Sequence, residues 1–191
     1  MKLALLLFSV LSLSLWFGTQ GTAPVECRGK SLPITFYEVG LKLTGPSIPL
    51  RFGGTRAFPS FGFKTDKALR LVIKNQDQYN EFWKQLTAPI APGNWIPPRP
   101  EIDFSKEMLI VSANGQRPSS GFWTIIDGAC EGDGRVEIFI TNVEDTGCGG
   151  NLGVLTYPAD AVRIPRSDLP VVFREREISC KDWYEKYLRY N

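Results

Sequence analysis

The chain has no histidine among its 191 residues. This absence excludes Ser-His-Asp and Cys-His catalysis, histidine-ligated metals and an imidazole general base. Carboxylates, lysine, tyrosine or a lone nucleophile are left for any enzyme chemistry. A charge excess of one sign is also missing. The 22 Lys and Arg nearly balance the 20 Asp and Glu, so no basic field exists to attract nucleic acid or an acidic membrane surface. Cysteine is sparse: Cys27, Cys130, Cys148 and Cys180 form no C-x-x-C pair, and their spacings fit no zinc site.

What is present begins with a leader. Lys2 is a single positive charge, Leu3 to Trp16 is apolar and uncharged, and Gly18 to Ala23 is small and polar, with Gly21 or Ala23 as the expected last residue before cleavage. The pattern predicts a secretory signal over residues 1–23, too short for a membrane anchor. One domain over 24–191 follows, large enough to bury a core. The expected location is outside the cytoplasm, in the periplasm, the medium or the cell envelope, with no membrane span after cleavage. Cys27 stands where a lipoprotein carries its lipid. The preceding Pro24-Val25-Glu26 opposes acylation, because such sites want small apolar residues before the cysteine.

An even number of cysteines in an exported chain reads as two disulfides. Cys130 and Cys148 flank one predicted strand and its turns, so the expected pairing is Cys130–Cys148. That leaves Cys27–Cys180 to tie the two ends of the domain together.

Along the body, short apolar segments alternate with turn signals. Leu32 to Val39 reads as a strand, Leu69 to Ile73 as another, and Gly40 to Thr65 as irregular chain punctuated by Phe52, Phe58, Phe61 and Phe63. Asn75 or Asp77 can cap a helix over 78–86 whose Tyr79, Phe82, Trp83 and Leu86 share one face. The proline-rich stretch 87–100, with Trp95, reads as a surface excursion because its prolines lack N–H donors. Strands are expected over 108–113, 121–127, 135–141, 152–157, 161–164 and 170–173, with turns at Asn114-Gly115 and Gly132-Asp133-Gly134. In 135–141, Val136, Ile138 and Ile140 mark a buried face; the face of Glu137, Phe139 and Thr141 is expected to be only partly covered. Ser179 and Asp182 resemble a capping box ahead of a short C-terminal helix.

Candidate chemical motifs are weak. The glycine-rich run 147–153 lacks the lysine and the strand-to-helix context of a phosphate loop. Asp127, Glu131 and Asp133 do not match a calcium-loop spacing. Glu144 and Asp145 are adjacent carboxylates, whereas glycosidase chemistry needs two opposed across a cleft. The segment Arg117-Pro118-Ser119-Ser120-Gly121-Phe122-Trp123 stands out, as a strand–turn–strand unit with a proline-set turn, two hydroxyls that can bond backbone amides, and two aromatics. No catalytic residue, metal ligand or cofactor site is expected from these motifs.

Part of the chain, about 72–175, resembles the PrcB-like family, named for a subunit of a surface protease complex. The resemblance rests on Tyr79-Asn80-Glu81-Phe82-Trp83 and on Asp103-Phe104-Ser105-Lys106-Glu107 leading into Met108 to Ala113. It continues through Gly115-Gln116-Arg117-Pro118-Ser119-Ser120-Gly121-Phe122, then Tyr157-Pro158, the strand at Val162, and Pro170-Val171-Val172-Phe173. It implies an exported domain that assists or stabilises a protease. The Arg-Pro-Ser-Ser-Gly-Phe turn also resembles the Asn-Pro-Thr-Thr-Gly-Tyr loop of chagasin-type cysteine protease inhibitors.

The sequence therefore predicts a mainly β domain, an antiparallel β-sandwich or partly open barrel with one packed amphipathic helix and a short C-terminal helix. Its expected role is non-enzymatic binding of a protein partner such as a protease, through the loop Arg117 to Trp123. The alternatives are carbohydrate-binding or envelope-structural use of exposed Trp95 and Trp123 and, more weakly, a carboxylate-based hydrolase.

Overall fold

The structure is a computed structural model that describes residues 27–37, 64–88, 98–147, 149 and 153–188, with side chains described as far as Glu185. The expected signal, the four phenylalanines of 52–63 and Trp95 lie outside the described residues.

In chain order the elements are β1 (Lys30–Ser31), β2 (Thr35–Phe36), β3 (Leu69–Ile73), α1 (Gln76–Thr87), β4 (Glu107–Ala113), β5 (Trp123–Gly132), β6 (Arg135–Glu144), β7 (Ala159–Pro165), β8 (Val171–Ser179) and α2 (Cys180–Leu188). They form two four-stranded sheets, one in the order β1-β5-β6-β8 and the other β2-β7-β4-β3. The protein is a β-sandwich, mainly antiparallel, with one parallel pair between β6 and β8.

Alternation along the strands builds two apolar layers. Met108 and Ile110 of β4, with Val162 and Ile164 of β7, meet Ile126, Ala129, Val136, Ile138 and Ile140 of the opposing sheet. The other face of β4 and β7 turns Leu109, Val111, Ala113, Ala159 and Ala161 towards α1. Both faces of β4 are covered, which is why the run Met108 to Val111 is continuously apolar. In β5 the register shifts between Ile126 and Gly128, so Ile126 and Ala129, three apart, both face the inter-sheet core. Asp160, 1% exposed, accepts the Ile126 N–H at 2.8 Å just before this irregularity. Across from Gly128, Phe139 is buried, and Thr141 is fully covered, so the second face of β6 is more enclosed than its sequence alternation implies.

The helix α1 forms where its aromatic face predicts, extended by about one half-turn at its start. Asn75 caps it by accepting the Gln78 N–H at 2.9 Å, while the Gln78 side chain accepts the Lys74 N–H at 2.8 Å. Tyr79, Phe82 and Leu86 are buried against the sheet, each worth roughly 2 kcal/mol relative to exposure. Trp83 is partly buried beside them.

Several expectations are corrected. In place of the single strand expected over 32–39 there are two short strands in different sheets, Lys30–Ser31 just before that range and Thr35–Phe36 within it, while residues 38 and 39 lie outside the described residues. Ser31 lies opposite Cys130 and Thr35 opposite Arg163, so the chain changes sheet through Leu32-Pro33-Ile34. Pro33 lacks the donor that a continuous ladder would use. The last strand runs to Ser179, well beyond Phe173, and is parallel to β6 because the chain between them first visits β7 in the other sheet.

The expected disulfide pairing is also overturned: Cys27 is bonded to Cys130, with their Cα atoms 5.6 Å apart. Cys130 sits near the β5–β6 turn, opposite Glu137, whereas the chain leaves β6 at Glu144. By Glu144 the chain has run seven residues, about 23 Å, along β6 away from the level of Cys130. Cys27 is instead brought in by the β1–β5 ladder. Here Gly29 is required for close approach, since a Cβ on it would lie 2.2 Å from the Glu131 carbonyl oxygen. Cys180 is also disulfide-bonded, so it is not the partner of Cys27. Cys148 lies outside the described residues.

Candidate functional site

The loop singled out by sequence connects β4 in one sheet to β5 in the other. The strand–turn–strand order is as expected, but the two strands lie in different sheets, so the loop is an inter-sheet crossover and the hairpin suggested by Asn114-Gly115 is corrected. Asn114-Gly115 does not close a two-residue hairpin. Asn114 donates its N–H to the Pro158 carbonyl at 2.9 Å, and Gly115 has φ 70°. A Cβ at Gly115 would also come within 3.0 Å of the Asp66 carbonyl oxygen, so both backbone conformation and space favour glycine.

The crossover is fastened along its length. Arg117 and Thr156 exchange two backbone hydrogen bonds, at 2.8 and 2.9 Å. The Thr156 hydroxyl donates to the Ser119 carbonyl at 2.7 Å, and the Tyr157 hydroxyl donates to the Gln116 side-chain carbonyl at 3.0 Å. The Ser119 hydroxyl donates to the Asp145 carboxylate in a short bond and accepts the Gly121 N–H at 3.1 Å. Both roles of Ser119 are structural. They hold a turn in a fixed shape against the end of β6 and the segment before β7.

The loop divides into covered and uncovered parts. Gly121 is buried, Ser119, Ser120 and Phe122 are half-buried, and Pro118 is exposed. Arg117 lies over the Phe122 ring, with its guanidinium carbon 5.6 Å from the ring centroid. Beside Thr156, Val154 and Leu155 are 50% and 63% exposed, the highest values among the exposed large hydrophobics of the described residues. Sequence reasoning assigned 152–157 to a strand and missed this apolar pair as a surface feature. The available signal was its position, directly after a glycine-rich run and before Pro158.

Trp123 leaves the loop for a different environment. Its ring meets Trp183 at 5.5 Å and Tyr184 at 6.2 Å, both in edge contacts, within a cluster that includes Val143, Ile178 and Cys180. The helix α2 is held there by the Ser179 hydroxyl, which accepts the Asp182 N–H at 3.0 Å and donates to the Asp182 carboxylate at 2.7 Å. Trp123 thus packs under α2 and does not stand out as a flat platform for a sugar.

The remaining candidate acids are occupied separately. Asp127 accepts from Arg176 at 2.7 Å and from Thr141 at 2.5 Å. Glu131 lies opposite Lys30 in the β1–β5 ladder, and Asp133 occupies the β5–β6 turn with φ 50°. Asp145 holds the crossover through Ser119. Among the described residues no three His, Cys, Asp or Glu groups gather as metal ligands, and no helix is long and apolar enough to cross a membrane.

A polar network closes one side of the sandwich near the crossover. Arg70 of β3 makes a two-pronged contact with Glu175 of β8, at 2.9 and 2.6 Å, and donates to the Ala113 carbonyl at 2.6 Å and the Asn114 side chain at 3.0 Å. Asn142 accepts from Asn114 and Thr124 and donates to Glu175 at 3.0 Å. The Arg70 hydrogen bonds hold the Glu175 carboxyl below the ordinary glutamate range. This network anchors the start of the crossover to both sheets.

The fold and site together define a disulfide-bonded β-sandwich with a fastened inter-sheet crossover bordered by exposed apolar residues. Comparison with protein-family models, curated proteins and solved structures gives no match for the chain.

Proposed function

We propose that the protein is an exported, non-enzymatic binding module that accompanies a protease as an accessory, stabilising or inhibitory partner, with residues 117–123 at the contact. One observation carries this reading: a crossover fixed at Arg117, Ser119 and Thr156 lies directly beside Val154 and Leu155, which remain exposed. A fixed loop loses little conformational freedom on docking, and an adjacent apolar surface supplies affinity when water leaves it. Ser119 is engaged in holding the turn, and the chain has no histidine to activate it, which favours contact over catalysis. The protease association draws on the resemblance of Gly115 to Phe122, with its flanking strand motifs, to the PrcB-like family.

The test is affinity capture from culture fluid or periplasm, comparing the unaltered chain with Ser120→Arg. A bulky cation at this half-buried loop position is expected to abolish recovery of a protease-containing complex while leaving the thermal unfolding midpoint within a few degrees. Recovery of the same complex by both proteins, or of no protein partner by either, would overturn the proposal.

A further inference from the structure

Arg117 is the cation of the crossover, and its surroundings are unlike those of its counterparts. Arg70, Arg135, Arg163 and Arg176 are likewise half-buried, and each has a carboxylate partner, at 2.6, 2.9, 3.1 and 2.7 Å respectively. Arg117 has no such partner among the described residues. Its Nε is buried without a hydrogen-bond acceptor, and its guanidinium lies over Phe122. Partial burial removes water from a guanidinium, and a ring face offers it weaker compensation than a carboxylate does. Since the Nε is closed to solvent, the terminal nitrogens of the Arg117 guanidinium are the part left open to an acceptor from outside.

We propose that Arg117 is the anchor for a carboxylate on the partner, carried by an acidic residue flanked by apolar side chains that cover Val154 and Leu155. The occupant is a peptide segment of a protein partner. Charge complementarity specifies its acid, because the unmatched group is a guanidinium suited to a planar two-oxygen acceptor. The exposed pair specifies its apolar neighbours, because Arg117 and Thr156 are paired through their backbones and Leu155 and Val154 immediately precede Thr156. This assignment rests on the binding-module reading and adds the partner's chemistry to it.

The test uses N-acetyl-Leu-Glu-Leu-amide and its Gln counterpart, titrated into the isotopically labelled full chain and followed by NMR at the backbone amides of 117–123 and 153–157 and at arginine Nε–H groups. The Glu peptide is expected to bind about tenfold more tightly than the Gln peptide, to shift the Arg117 Nε–H signal and to weaken with added salt. Arg117→Gln should remove the Glu preference, and Arg117→Lys should restore only part of it, since an ammonium cannot match two carboxylate oxygens in a plane. Equal binding of the two peptides, absence of binding, or a Glu preference retained by a folded Arg117→Gln chain would overturn the assignment. Protease capture by Arg117→Gln at the level of the unaltered chain, with capture still lost in Ser120→Arg, would overturn the anchor while sparing the binding-module reading. Capture retained by Ser120→Arg would instead remove that reading itself.

Discussion

Tyr37 and Tyr79 meet beneath α1 with hydroxyl oxygens 2.7 Å apart, and Tyr79 donates to the Pro100 carbonyl at 2.6 Å. Because Tyr79 uses its proton on Pro100, Tyr37 must donate to Tyr79, giving a directed chain of two bonds. Burial raises both phenols above the ordinary tyrosine value, and for Tyr37 the bond to Tyr79 adds to the rise. The unfolded chain then ionises first as pH increases. The associated stability is fully present below about pH 10 and is lost progressively above it. Urea unfolding midpoints should therefore decline from about pH 10 upwards. Tyr37→Phe should reduce that decline and cost about 1 kcal/mol at neutral pH, the loss of one hydrogen bond. An alkaline decline unchanged by Tyr37→Phe would contradict this account. The Tyr79 position on a helical face was legible from its spacing with Phe82 and Leu86; its hydroxyl partners lie 42 residues before it and 21 after, and no local pattern encodes them.

Strand pairing sets the second level. β3 and β8 are the outermost strands on the same side of the two sheets, and Arg70 and Glu175 join them across the gap. The Glu175 pKa is lowered in the folded state, so its contribution is present above the unfolded value near pH 4.3 and disappears as pH falls through the lower folded value. Glu175→Gln should flatten the acid limb of the stability curve. It should cost roughly 1 kcal/mol at neutral pH, a modest figure because Glu175 is partly exposed to solvent. Arg70→Ala should cost about 2–3 kcal/mol, since it also strips hydrogen bonds from the Ala113 carbonyl and from Asn114. Thermal unfolding from pH 2 to 7 measures both, and equal losses in the two variants would sink the network argument. At this scale α1, β3, β4 and the β5–β6 turn were readable from periodicity, capping and Asp-Gly chemistry. The crossover was not, because an Asn-Gly pair after a strand suits a hairpin locally and only distant partners, Pro158 and Thr156, redirect it.

For the whole molecule, the Cys27–Cys130 bond joins the beginning of the described chain to the middle of a sheet, across a sequence separation of 103. Closing so long a loop restricts the unfolded chain, a stabilisation of about 4–5 kcal/mol on the chain-entropy account. Replacing both cysteines by serine should lower unfolding stability by about that amount, with the short β1 strand losing hydrogen-exchange protection first. Its pairing with β5 is only two residues long. Denaturant unfolding with exchange mass spectrometry measures both effects; a loss below about 1 kcal/mol with β1 still protected would show that the ladder holds without the bond.

The sequence by itself determined the absence of imidazole chemistry, the near balance of charge, the β-rich composition, the aromatic face of α1 and the presence of a proline-set turn at 117–123. Each follows from residue type or from spacing within a few positions. The tertiary structure alone decided which sheet each strand joins, that β8 runs parallel to β6, and that Cys130 takes Cys27. It also decided that Val154 and Leu155 stay uncovered beside Arg117. These outcomes depend on which distant segments pack together, and inter-sheet burial and ladder hydrogen bonds select them from among many local arrangements of similar propensity.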